Sequence, residues 1–441
     1  MRPKLNTRAS IGANVVVALC LGLLSTGVVA QTPDEPVIGV QKTGQTKCWD
    51  SAGDEISCAN TGQDGETQNG VTAPSPRCTN NGDGTITDHM SGLVWLANNS
   101  CFSDATWAAQ LQNVDALAEG GCGLTDGSTP GEWRAPNLNE MISALTFGSD
   151  GSNDFAFDCG LTLTGSGLFS SSILPGHRGF VDSTTPLNNS GDGSRAYSLS
   201  TSNGGISSTS RRPTDTGTNV WPVRGASTRD NAVVPVLTTG QVKCWSDELD
   251  ATTSDHEIAS CIGTGADGEL QAGIQRPVPR FRSLQDRVVQ DRVTGLIWLD
   301  TSTCFAPRSW TDSLGVAAGL FDGADTDDLD GDCGLTDGSQ AGDWRLPSAT
   351  EALSLLELSE QRYNTQDLEF DGMTVTEEAI RQFNGAGMPG VTYFDPDGFW
   401  TSTTIFTNRS WAYKIGENSV ANVLSFAPKT DDGLILLVRD P

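Results

Sequence analysis

Cys-Gly-Leu-Thr-Asp-Gly-Ser at 122–128 recurs unchanged at 333–339. The same landmarks surround both copies. LVWLANNSCF (93–102), TW (106–107) and EWRAP (132–136) frame the first, and LIWLDTSTCF (296–305), SW (309–310) and DWRLP (343–347) frame the second. An internal repeat makes each copy one folding unit, so features can be compared position by position. Matching begins upstream with GQTKCW (44–49) against GQVKCW (240–245), and ends with WPVR (221–224) against LLVR (436–439). A chain of 441 residues is too long for one core, and it divides into a first unit over 37–225, a small polar linker over 226–232 and a second unit over 233–440.

The chain is strongly acidic, with a formal charge of -28. Such a charge repels nucleic acid, anionic lipid and sulfated polysaccharide at long range, and otherwise reads as a solvated surface. The first thirty residues hold Arg2, Lys4 and Arg8, then an apolar stretch from Ile11 to about Leu24, then Val28-Val29-Ala30. That order is a secretion signal over 1–30, cleaved before Gln31. No later stretch approaches the ~20 apolar residues a membrane span needs. The expected location is therefore secreted, periplasmic or on the cell surface, with no membrane span and no nucleic-acid partner.

Local signals inside each unit are mixed. TITDHMSGLVWL (85–96) and RVVQDRVTGLIWL (287–299) are β-rich around a turn and predict a hairpin. Thr106 and Ser309 stand at helix N-cap positions, with apolar residues following at helical spacing (Trp107, Leu111, Val114 and Leu117; Trp310, Leu314, Ala317 and Leu320). Behind the WRxP runs, Asn137-x-x-Glu140 and Ser348-x-x-Glu351 read as capping boxes opening a second helix. The remainder is Gly/Ser/Thr-rich with short strands such as FWTSTT (399–404). The class is α+β, with two short helices on a mostly antiparallel sheet in each unit.

Ten of the eleven cysteines lie beyond the signal, an even number in an exported chain, so five disulfides are expected. The short N-terminal loops predict Cys48–Cys58 and Cys244–Cys261. Cys78 and Cys159 lack counterparts in the second unit, which pairs them with each other. Cys101–Cys122 and Cys304–Cys333 remain. Each bridge contributes on the order of 2–4 kcal/mol. Cysteines as metal ligands would need CxxC-like spacing, which is absent.

Taken in order, GDGTITDHMSGLVW (82–95), the helix from Trp107, GEWRAPNLNEM (131–141), FSSS (169–172) and VWPVRG (220–225) resemble the Lcl C-terminal domain family. DRVTGLIW (291–298), GDWRLPSATEAL (342–353), FWTST (399–403) and LVRD (437–440) repeat the resemblance in the second unit. The family is common in bacterial exported proteins and named for a collagen-like adhesin. The RLPxxxE-like segment and the late Trp/Ser/Thr strand are also similar to the C-type-lectin-like fold of formylglycine-generating enzymes, a likeness of fold that carries no function. The resemblance implies two tandem, disulfide-stapled, C-type-lectin-like domains acting as a non-catalytic binding or adhesion module, with an extracellular glycan or protein as partner. The alternatives are an envelope enzyme on that scaffold, or a purely structural surface protein. The adhesin's polysaccharide binding accompanies a collagen-like stalk, and this chain has no Gly-X-Y tract.

Candidate chemistry is sparse. His89, His177 and His256 are the only histidines, and no GxSxG accompanies them. TNNGDGTITD (79–88) resembles a calcium loop, but an NGDG turn closing a hairpin accounts for it without metal. TDDLDGDCGLTD (326–337) sets Asp328, Asp330, Asp332 and Asp337 near EF-hand positions and is the candidate calcium site, although Thr326 stands where the first carboxylate belongs. No other cofactor is expected. Trp95, Trp298, Trp133 and Trp344 read as core packing. Arg134 and Arg345 read as structural arginines paired with Glu140 and Glu351 or with carbonyls. The loops the copies do not share, 173–194 and 360–398, are the expected places for ligand contact.

Overall fold

The computed structural model describes residues 38–99, 101–148, 180–186, 195–200, 205–210, 218–242, 244–249, 256–277, 280–285, 288–299, 304–323, 335–355, 398–405, 407–415 and 424–441. The fold is mixed helix and strand, with short, mostly antiparallel strands. The helices described are α1 (Asp64–Thr67), α2 (Trp107–Asp115), α3 (Leu138–Ser143), α4 (Asp267–Leu270), α5 (Trp310–Gly319) and α6 (Ala349–Ser354).

Four helices begin where local chemistry supplies an acceptor for the exposed N–H groups of the first turn. The Thr106 hydroxyl accepts from Ala109 N at the start of α2, and that of Ser309 from Asp312 N at the start of α5. Asn137 with Glu140, and Ser348 with Glu351, close capping boxes at α3 and α6. The one-turn helices α1 and α4, in DGET and DGEL, are additional to the two per unit expected. Four residues carry no readable periodicity. Each instead follows a glycine-rich turn held by a carboxylate: Glu66 accepts from Asn60, Thr61 and Gly62 N, and Glu269 from Gly263 and Gly265 N.

Each repeat builds the same small sheet. In the first, Cys78–Asn80, Thr85–Asp88, Val94–Leu96, Val223–Arg224 and Trp133–Arg134 pair in that order. In the second, Phe281–Gln285, Val288–Asp291, Ile297–Leu299 and Leu437–Arg439 do so, and Arg345 bridges to Val438 as Arg134 does to Val223. Register is kept: Ile86 opposes Trp95 and Val289 opposes Trp298. The NGDG segment turns the hairpin between Cys78–Asn80 and Thr85–Asp88, with Asp83 Oδ1 accepting from Thr85 N and Oγ1. Gly84 has φ +90°, and a Cβ there would stand 2.7 Å from Gly123 O, so glycine lets this turn press against the heptapeptide.

A larger eight-stranded sheet crosses the repeats. Its order is Phe399–Thr404, Trp411–Ile415, Leu424–Pro428, Ile206–Ser210, Arg195–Ser200, Phe180–Pro186, Thr218–Val220 and Phe102–Ala105. Ile206 pairs with Leu424 where the second repeat meets the first. One buried cluster accordingly mixes Leu138, Met141, Leu145 and Phe147 with Trp298, Leu353, Tyr413 and Ile415.

The units read along the sequence are not separate in space: Pro36–Pro441 cluster as one compact unit. The N-terminal segment of each repeat docks on the body of the other. Ile38 N donates to Val293 O at 2.9 Å, and Val234 N to Met90 O at 2.9 Å, at equivalent positions of the repeat. Helix α1 lies against Phe399–Thr404, while α4 lies against Phe180–Pro186. Gly62 packs on Leu314 of α5 and Gly265 on Leu111 of α2. Val236, Cys244 and Ala266 of the second repeat belong to the same buried cluster as Trp95, Trp107 and Trp133 of the first.

Candidate functional site

The repeated motifs assemble into two equivalent polar networks, one per repeat. Their first part joins WRxP to the helix behind it. Arg134 donates from Nη1 to Glu140 Oε2 at 2.6 Å and from Nη2 to Oε1 at 2.5 Å. Arg345 forms the same fork with Glu351, both distances 2.7 Å. Each glutamate also accepts from its helix N-cap N–H, Asn137 at 2.9 Å and Ser348 at 2.8 Å. One buried carboxylate thus closes a capping box and holds a bidentate guanidinium. Burial works against the charge on Arg134 and Arg345, but the facing glutamates outweigh it and raise both above the ordinary arginine value.

The second part explains the heptapeptide. Trp133 Nε1 donates to Ser128 Oγ at 3.2 Å, and Ser128 Oγ donates to Asp126 Oδ1 at 2.7 Å. Asp126 Oδ2 meets Arg224 Nη1 at 2.8 Å, and that guanidinium lies 5.1 Å from the Trp133 ring centre. Trp344, Ser339 and Asp337 repeat the relay at 3.1 and 2.6 Å, with Arg439 Nε 3.3 Å from Asp337 Oδ2 and its guanidinium over the Trp344 ring. A buried indole N–H needs an acceptor, and a buried carboxylate needs donors and a cation. In each repeat the serine of Asp-Gly-Ser links the indole to the aspartate by hydrogen bonds, and an ion pair joins that aspartate to the final Val-Arg.

Asp337 therefore spends both oxygens on Ser339 and Arg439, as Asp126 does on Ser128 and Arg224. Asp328, Asp330 and Asp332 lie outside the described residues. Among the described residues no group of three or more His, Cys, Asp or Glu is placed to hold a metal. His89 Nε2 sits 2.8 Å from Thr79 Oγ1, and His177 lies outside the described residues.

Disulfides join Cys48 to Cys58, Cys101 to Cys122 and Cys244 to Cys261. Cys78 and Cys304 are also disulfide-bonded, while Cys159 and Cys333 lie outside the described residues. The Cys101–Cys122 bridge ties the segment before α2 to the heptapeptide. Of the unshared loops 173–194 and 360–398, the described residues are 180–186 and 398.

Sequence reasoning missed two further sets, each present in both repeats. Arg77 pairs with Asp88 (Nε–Oδ1 3.1 Å) and donates to Ser143 O, the last residue of α3. Arg280 pairs with Asp291 (3.0 Å) and donates to Ser354 O at the end of α6. Asp64 and Asp267, opening α1 and α4, form the second. Asp64 Oδ2 accepts from Thr43 at 2.6 Å and from Thr403 of the other repeat at 2.7 Å, and Thr239 donates to Asp267. Burial is the main cause that lifts Asp64 from 3.8 to about 6, assisted by Glu351 and opposed by the two threonine hydroxyls and Arg345. The signal was there to read, as PR at 76–77 and 279–280 and DGE at 64–66 and 267–269 recur in register.

Residues 287–439 match the family model described as the Lcl C-terminal domain. The match covers three of the four strands of the second repeat's sheet, from Val288 onward, with both longer helices and the WRxP network. No curated protein and no solved structure matches the chain. Among the described residues no helix is long and apolar enough to cross a membrane.

Proposed function

We propose that this protein is an exported, non-catalytic binding or adhesion module of the bacterial exterior, made of two Lcl C-terminal-like, C-type-lectin-like repeats. The family match over 287–439 carries the reading. The first repeat is assigned to the same family because its network follows the second's residue for residue: Arg134–Glu140 with Arg345–Glu351, and Trp133–Ser128–Asp126–Arg224 with Trp344–Ser339–Asp337–Arg439. Those motif side chains are turned on each other, which leaves recognition to the loops the repeats do not share. The disulfides fit an oxidising compartment. The ligand is a glycan or a protein. Calcium binding at 326–337 would fall to Asp328, Asp330 and Asp332, since Asp337 is held by Arg439.

A glycan and protein array probed with the chain from Gln31 onward, with and without calcium, tests the reading. Saturable binding without change to the ligand supports it. A degraded or modified ligand would favour the enzyme alternative, and no binding at all a purely structural surface role.

A further inference from the structure

An asparagine followed by glycine is open to attack by the next backbone nitrogen, because glycine has no Cβ to shield it. Two such pairs lie among the described residues, Asn69-Gly70 and Asn81-Gly82, and their surroundings are opposite. At Asn81-Gly82 both reacting groups are occupied. Gly82 N donates to Asn80 Oδ1 at 2.9 Å, and Asn81 Nδ2 donates to Thr85 Oγ1 at 2.8 Å and to Thr87 Oγ1 at 3.0 Å.

At Asn69-Gly70 the nitrogen is free and the amide is polarised. Gly70 is exposed, and its N–H donates to no described residue. The Asn69 amide lies on the Arg345 guanidinium. That group offers only donors and positive charge, so the amide turns its oxygen toward it, 2.5 Å from Nε, 3.0 Å from Nη2 and 3.3 Å from Nη1. Nearness to all three nitrogens sets the oxygen against the whole cation, which the fork on Glu351 holds in place. The second repeat has Ala272 where the first has Asn69, so the shared fold does not require an asparagine there.

We propose that Asn69 is a self-modifying site, deamidated by attack of the Gly70 nitrogen while the Arg345 guanidinium stabilises the oxyanion. Gly70 N gives its proton to hydroxide and bonds to Asn69 Cγ, and the amide oxygen takes up the negative charge. That charge develops against a cation already in position, where electrostatic stabilisation costs no reorganisation. The Cγ–Nδ2 bond then breaks, and nitrogen leaves as ammonia with a proton from water, which restores the hydroxide. Water opens the resulting succinimide to aspartate or isoaspartate. The product adds a carboxylate beside a guanidinium that already meets Glu351 and Asp440, where the first N-terminal segment touches the second repeat. The reaction is independent of the proposed adhesion, since it needs no ligand.

Incubation of the folded chain from Gln31 in mildly alkaline buffer tests it, with peptide mapping by mass spectrometry following Asn69 and Asn81 over time. Free peptides carrying the same two Asn-Gly pairs give the reference rates. Asn69 is expected to deamidate at least about tenfold faster in the folded protein than in its peptide, and Asn81 slower than in its own. Arg345→Lys, shown to be folded by a thermal melt, is expected to bring Asn69 down to the peptide rate. Should that variant fail to fold, the comparison of folded wild type with peptide decides alone. Asn69 reacting no faster in the folded protein than in the peptide, or at an unchanged rate in a folded Arg345→Lys, would overturn the proposal.

Discussion

The Thr403 hydroxyl donates to Asp64 Oδ2 at 2.7 Å, across 339 positions of chain and from one repeat to the other. Asp64 is fully buried, and it stands at the start of a one-turn helix that rests on the strand carrying Thr403. This contact, with Gln45 bonded to the backbone of Thr404 through both ends of its amide, fastens the first N-terminal segment to the second repeat.

The Asp64 carboxyl makes stability depend on pH. Its folded-state value, about 6, lies above the 3.8 of the free side chain. Between those values the folded protein holds a proton that the unfolded chain has lost. Its contribution is therefore full below about pH 3.8 and is lost as pH rises through about 6, on the order of 3 kcal/mol. Urea unfolding of the wild type and of Asp64→Asn between pH 4 and 7 checks this. The difference between the two proteins should change across that window in favour of the asparagine variant, and a constant difference would contradict the assignment.

Lys429 acts in the opposite sense at the same joint. Its ammonium donates to Trp49 O at 2.9 Å and lies 4.2 Å from the Trp310 ring centre. Burial pulls it from 10.5 to about 7, with Arg409 adding to the fall and Asp50 opposing it. Here the unfolded chain binds a proton between about pH 7 and 10.5 that the folded protein lacks, so stability should rise with pH over that range. Lys429→Met is expected to lose the rise. Denaturation midpoints at pH 7 and 9.5 read it directly, and an equal rise in the variant would refute it.

Removing the guanidinium of Arg345 leaves Glu351 buried beside its helix N-terminus without its partner. Breaking a buried pair in this way costs about 3–5 kcal/mol. Arg345→Ala should lose that much in chemical denaturation, and Arg134→Ala should do the same through Glu140. A loss below about 1 kcal/mol, the range of surface ion pairs, would show that the network is not structural.

The local part of this fold is legible in the chain. Thr106, Ser309 and the two capping boxes mark four helices because cap chemistry acts within one turn. The β-rich runs around Trp95 and Trp298 mark hairpins because alternation is local too. The comparison between repeats also separated Cys48–Cys58 from Cys101–Cys122. The docking of each N-terminal segment on the other repeat was not legible. Asp64–Thr403 and Gln45–Thr404 join residues hundreds of positions apart, and neither periodicity nor capping reports such a contact. The ion pairs of Asp126 with Arg224 and of Asp337 with Arg439 were not legible either, because only the folded sheet brings Val-Arg beside the Asp-Gly-Ser turn.

The Cys101–Cys122 bridge spans 21 residues and anchors the heptapeptide to the segment before α2. A loop of that length contributes about 3 kcal/mol. The double variant Cys101→Ala, Cys122→Ala should lose stability by that order in denaturant, and little or no loss would show that the hydrogen-bonded relay holds the segment alone.

Reciprocal docking of the N-terminal segments is tested most directly by cutting the chain between the repeats. Arg229, Asp230 and Asn231 are exposed, so a protease site placed there can be cleaved in the folded protein. None of the disulfides described joins the two fragments. The expected result is that the cleaved fragments stay together at the mass of the intact chain in native mass spectrometry and co-elute on size exclusion. Two fragments that separate without denaturant, each keeping its own folded signal, would contradict the exchange.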